Sequence, residues 1–184
     1  MHPPDEDVRL MLAFRAGDAG AFEELFRRWA RPLLRYLEGM LRDAGAAEDL
    51  VQEAFLRVHR ARERYQPDAR FSTWLYRIAT NLALNELRRP RRRSPHASVD
   101  AEAEGLVAAD PAADEVVAAR RRRDAVEAAL ETLPARQRAV LLQCVEGRSY
   151  ADIAAALDVS EQAVKALVHR ARSSLVERLD DGGD

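Results

Sequence analysis

Apolar residues recur at three- and four-residue spacings through most of this chain, and nowhere does a period of two run long enough to make a strand. The segment DAGAFEELFRRWARPLLRYLEGML (18–41) sets Phe22, Leu25, Phe26, Trp29, Leu33 and Leu37 on one side of a helix. Glu23 to Arg27 and Glu24 to Arg28 are pairs in the favourable i,i+4 order. AEDLVQEAFLRVHRAR (47–62) repeats the design and turns Val51, Ala54, Phe55 and Val58 inward. Gly45 and QPDARFS (66–72) read as loops around it. A further helix, FSTWLYRIATNLALNELRR (71–89), points Phe71, Trp74, Leu75, Ile78, Leu82 and Leu87 at a core. Its other side carries Arg77, Asn81, Asn85, Arg88 and Arg89 at steps of about four residues.

After Leu87 the pattern breaks. RRPRRR (88–93) puts five arginines around a proline that must end the helix. From Ser94 to Ala119 there is no Lys or Arg, while Asp100, Glu102, Glu104, Asp110, Asp114 and Glu115 are acidic. Small residues and two prolines fill the rest, the composition of a mobile tether. Helical pattern resumes near Asp114 and runs to about Leu179, with DDGGD as a frayed tail. The expected fold is all-α: two small helical domains, residues 1–93 and 116–184, joined by a flexible acidic linker at 94–115.

The second domain holds the clearest motif, RSYADIAAALDVSEQAVKALVHRARSSL (148–175). Ser149 followed by Asp152 suits a helix N-cap with an acidic first turn. Ile153, Ala154 and Leu157 face inward, DVS (158–160) makes a tight turn, and Ser160 caps a second helix buried through Val164, Leu167, Val168 and Ala171. The rest of that helix offers Glu161, Gln162, Lys165, Ala166, His169, Arg170 and Arg172. A small residue at the crossing, a three-residue turn and a basic outer face are the build of a DNA-reading helix-turn-helix rather than of a plain helical hairpin. The 71–89 ladder is open to two readings. Asn and Arg at that spacing suit a nucleic acid strand, and an Arg-rich helix end is also favoured by the macrodipole alone.

Composition narrows the chemistry. The net charge is −2, with one lysine, Lys165, among 29 basic residues, so the placement of the arginines matters more than their number. Cys144 is alone and the four histidines are scattered, which leaves no disulfide and no zinc site. Asp49 and Glu53 find no third ligand and no nucleophile nearby, so no catalytic, metal or cofactor site is expected. No apolar run reaches the roughly 18–20 residues that span a bilayer, and MHPPDEDV is no signal peptide, so the expected location is cytoplasmic.

EDLVQEAFLRVHR (48–60) followed by FSTWLYRIATNLALNELRR closely resembles region 2 of bacterial sigma-70 family sigma factors. LPARQRAVLLQCVEGRSYADIAAALDVSEQAVKALVHRARSSL (133–175) resembles region 4, and the two-lobe layout is that of the extracytoplasmic-function (ECF) group. The resemblance implies a factor that binds core RNA polymerase and directs initiation from promoters. Asp49, Gln52 and Glu53 match the residues that dock on the β′ clamp helices, and they face away from the Val51–Phe55–Val58 stripe. Arg77, Asn81, Asn85 and Arg88 would meet the −10 strand, with the loop from Tyr65 to Thr73 holding an extruded base. Trp74 fits the core better than a stacking platform. Gln162, Lys165, Ala166, His169, Arg170 and Arg172 would face the −35 element. Ala166 lacks the hydroxyl often found at its position. Implied partners are core polymerase, including the β flap, promoter DNA and an anti-sigma factor. The rival is a helix-turn-helix regulator with no polymerase role, and the exposed Asp49–Gln52–Glu53 set argues against it.

Overall fold

The computed structural model describes residues 4–89, 117 and 124–181, and all regular structure in them is helical. The acidic linker expected at 94–115 lies outside the described residues. Helices α1 (Pro4–Arg15), α2 (Ala19–Leu41), α3 (Ala44–Ala61) and α4 (Phe71–Arg88) form the first lobe, with a 3-10 turn at Arg62–Arg64. The second lobe has α5 (residues 124–131), α6 (Ala135–Val145), α7 (Tyr150–Leu157) and α8 (Glu161–Asp181).

Caps set the boundaries. Asp18 accepts the Ala21 N–H and starts α2, and Arg42 ends it in the left-handed conformation (φ 57°), donating its N–H to the Glu38 carbonyl. Asp43 follows at once and accepts the Ala46 N–H, so α3 begins three residues earlier than expected. Gly45, expected in a loop, is therefore in the first turn of α3, and Phe71 and Ser72 are already in α4. Helix α1 was not anticipated. It is anchored by the buried Asp7, which accepts from the Trp29 indole at 3.1 Å and pairs with Arg28.

The first core is filled by Met11, Leu25, Leu33, Leu37, Met40, Val58 and Leu75, all without exposed surface. Val51, Ala54 and Phe55 join them as expected. Trimming one of these Leu or Met side chains to Ala would cost about 2–5 kcal/mol. The α2 stripe is broader than the buried surface. Phe26 is 42% exposed, with its ring 4.7 Å from that of Phe55, and Leu87 is likewise exposed at the far end of α4. Glu24, rather than Glu23, takes Arg27, and it binds Arg28 as well.

Val140, Ile153, Ala154, Val164 and Val168 make the second core. The lobes are in contact rather than apart: α6 lies against α2 and α4, and α7 lies against α4. Ala139 and Ala156 of the second lobe are part of the first lobe's apolar cluster. Arg138, also buried, donates to the Met40 carbonyl at 2.8 Å, covering an orphan acceptor at the end of α2.

Candidate polymerase and DNA interfaces

Helix α3 buries one stripe and leaves another to solvent. Asp49 and Gln52 are exposed, and Glu53 is half-buried with an ion pair to Arg57 at 2.8 Å that holds its carboxyl below the ordinary range. At about 100° per residue, Leu56 falls on the same stripe as Asp49 and Gln52, and it is 49% exposed. Leu56 was missed because an apolar residue next to Phe55 reads as more core. Its spacing of four from Gln52 and seven from Asp49 was the available signal.

Helix α4 has three faces, not two. Phe71, Leu75, Ala79 and Leu82 are buried against the first core. Arg77, Asn81, Asn85 and Arg88 are all exposed along one side, as expected. Trp74 stands at the head of that side, half-buried, its ring 5.1 Å from that of Tyr65. A third stripe of Thr73, Tyr76 and Thr80 is buried beneath the second lobe, which the sequence reading did not foresee. Thr80 and the Tyr36 hydroxyl are 2.8 Å apart, and the Gln143 amide of α6 reaches both, at 3.3 and 3.4 Å. Burial pushes the Tyr36 hydroxyl up to about 12, so it stays protonated.

At the start of α4 the two lobes share a polar knot. The Thr73 hydroxyl donates to Asp152 at 2.9 Å and accepts from the Arg148 guanidinium at 3.1 Å. Arg70 approaches the same carboxylate at 3.5 Å. Burial alone would raise the Asp152 carboxyl, but the Ser149 and Thr73 hydroxyls with Arg148 and Arg70 hold it below its ordinary value.

In the second lobe Ser149 accepts the Asp152 N–H at 3.1 Å, and Asp158 closes α7 in the left-handed conformation. Ser160 accepts the Ala163 N–H at 3.1 Å and starts α8. Gln162, Lys165, Ala166, His169, Arg170 and Arg172 are all exposed. Lys165, His169 and Arg172 converge on a groove of about 610 Å³ that Tyr150 of α7 also lines. The Arg170 guanidinium folds back to the Ala166 carbonyl at 3.3 Å. Tyr150 was overlooked because it sits beside the Ser149 cap, where only capping was sought. Among the described residues no group of three or more His, Cys, Asp or Glu is placed to hold a metal, and no helix is long and apolar enough to cross a membrane.

A capped helix-turn-helix beside a helical bundle with an exposed amide and arginine ladder defines a two-lobed transcription factor. Residues 25–93 match sigma-70 region 2 and residues 123–175 match sigma-70 region 4, and the chain belongs to the sigma-70 family. Among its relatives are the RNA polymerase sigma factor CarQ of Myxococcus xanthus, 37% identical over 93% of this chain and 96% of that one, and the ECF sigma-E factor of Escherichia coli, 32% identical over 92% of each. The solved structure of CnrH with the cytosolic domain of CnrY superposes with a TM-score of 0.72 at 25% identity, covering 96% of this chain and 98% of that one.

Proposed function

We propose that this chain is a dissociable, non-catalytic specificity subunit that binds core RNA polymerase and starts transcription at promoters with −10 and −35 elements. The observation that carries the reading is the pairing of two solvent-facing stripes on adjacent helices of one lobe. Asp49, Gln52 and Glu53 on α3 are available for the β′ clamp helices, while Arg77, Asn81, Asn85 and Arg88 on α4 are available for the −10 strand. Asn presents both a donor and an acceptor, the pattern adenine needs, and Arg binds phosphate or guanine. Residues 1–93 would make up the docking and melting lobe and 116–184 the −35 lobe, with 94–115 between them.

In the second lobe Lys165, His169 and Arg172 suit the edge of a major groove, with Gln162 and Arg170 alongside and Ala166 giving only an apolar contact. CnrH was solved with the cytosolic domain of CnrY, and the family resemblance implies an anti-sigma factor as a partner of this chain. Pull-down with core polymerase tests the docking assignment. Wild type should be retained and the Asp49→Ala, Glu53→Ala double variant lost; retention of both at equal yield refutes it.

A further inference from the structure

Helix α1 carries none of the residues assigned above to polymerase or DNA, yet its end is closely fixed. Gly17 turns left-handed (φ 108°), the Asp18 N–H returns to the Ala13 carbonyl at 3.1 Å, and Asp18 at once caps α2. Phe14 is buried, its ring stacked 4.7 Å from that of Phe22. The next side chain, Arg15, reaches across 50 positions of sequence and donates to the Tyr65 carbonyl at 2.9 Å. Close by, the Arg62 guanidinium carbon lies 5.8 Å from the centre of the Phe14 ring. Tyr65 is the first residue after the 3-10 turn and opens the loop that leads to α4. Its ring is buried beside Trp74, so the residue is held twice, by its ring against α4 and by its carbonyl to α1. At the far end of the loop the Arg70 carbonyl accepts the Thr73 and Trp74 N–H groups at 3.0 and 3.2 Å. Between these two ends Gln66, Pro67, Asp68 and Ala69 are all exposed.

We propose that α1 is a positioning element for the −10 strand: Arg15 holds the Tyr65 carbonyl, and through it sets the loop from Tyr65 to Arg70 in the shape that receives an extruded base. The receiving role rests on the −10 function proposed above. A loop that waits in one shape has less freedom to lose when the base enters, so the tie favours capture without touching the DNA. Without the tie the receptive shape is only a fraction of those available, and the apparent affinity falls by that fraction. A guanidinium suits the task, because it stays charged and its bond to a carbonyl is stronger than one between neutral groups. Phosphate contacts at Arg77 and Arg88 would not feel the loss, since both residues are on α4 itself. The tie should therefore matter for one base and for no other part of the strand.

Holoenzyme assembled from core polymerase and the full chain is titrated with a labelled single strand that carries the −10 element of a mapped promoter, each nucleotide in turn made abasic. With wild type, one abasic position should weaken binding by about tenfold, the loss of one captured base. Arg15→Ala should weaken binding of the intact strand by about fivefold. The strand abasic at the sensitive position should bind the variant as well as it binds wild type. Equal weakening of both strands, or of neither, overturns the positioning role. Ala suits a helix as well as Arg does, so α1 keeps its fold in the variant. A nitroxide at Ala69→Cys, an exposed position, in a Cys144→Ala background reads the loop itself in the free protein. Its spectrum should sharpen with Arg15→Ala as nanosecond motion increases. An unchanged spectrum overturns the tie whatever the DNA does. A sharpened spectrum, together with a wild-type holoenzyme that shows no single sensitive position, leaves the tie standing and refutes the −10 reading instead.

Discussion

The Arg148 guanidinium carbon lies 4.4 Å from the centre of the Tyr76 ring, joining the loop before α7 to the buried third face of α4. Burial pulls the guanidinium below its ordinary value, and Tyr76 and the Asp152 carboxylate compensate in part. Arg148→Ala should weaken lobe association by about 1–2 kcal/mol. Trp29 and Trp74 are the protein's two tryptophans and both are in the first lobe, so their fluorescence reports that lobe's unfolding in urea. The variant should move this transition to lower urea, with Tyr76→Phe close to wild type.

Leu56 extends the exposed α3 stripe of Asp49 and Gln52 with an apolar side chain that is itself half exposed. Replacing it by Ala should weaken core polymerase binding by more than 1 kcal/mol, about five- to tenfold in Kd, as for a side chain at the centre of an interface. Helix content by circular dichroism should not change. Biolayer interferometry against immobilised core polymerase is the direct measurement.

Asn81 is exposed on the α4 ladder, away from both cores. Asn81→Ala should leave core binding intact and reduce promoter opening, by roughly tenfold if one bidentate base contact is lost. Permanganate reactivity of unpaired thymines on a mapped promoter separates opening from binding. An equal loss of core binding would refute the assignment.

Lys165 and Arg172 share the groove with Tyr150. Arg172→Ala should weaken −35 binding and lower the salt dependence of affinity by about one phosphate contact. Fluorescence anisotropy over a series of salt concentrations gives both numbers at once.

The knot at Asp152 makes the contact between the lobes sensitive to acid. Its carboxyl is depressed in the folded protein, so the stabilisation is complete above the ordinary carboxylate range near pH 4 and is lost as pH falls through the lowered value. A distance measured between spin labels at Glu23→Cys on α2 and Ala155→Cys on α7, with Cys144→Ala, should begin to lengthen below about pH 4, and Asp152→Asn should weaken the lobe contact already at about pH 7.

Periodicity and capping made the helices legible: Val51, Ala54, Phe55 and Val58 turn inward, and Ser149 and Ser160 cap where Ser residues before acidic or apolar turns should. Both lobes were separable by the arginine run and the acidic stretch that follows it. The contact between them was not legible. Thr73, Tyr76, Thr80 and Gln143 are polar, and a stripe of such residues reads as surface until a second lobe is found on top of it. The start of α3 was misplaced because Gly45 suggests a break, whereas Asp43 supplies a cap that outweighs one glycine. The polymerase-facing and DNA-facing assignments were legible only by resemblance, since an exposed Asp, Gln or Asn has no local signature that separates a partner from water.

The residues proposed to meet DNA and those packed under the second lobe occupy separate stripes of α4, so the two surfaces of one helix can change independently of each other. On the proposed function, exchanges at Asn81 and Asn85 would redirect the protein to new promoters without disturbing the lobe contact, and exchanges at Thr73, Tyr76 or Thr80 would alter that contact while leaving the preferred sequence alone. A lineage duplicating this gene could therefore diverge along either axis first.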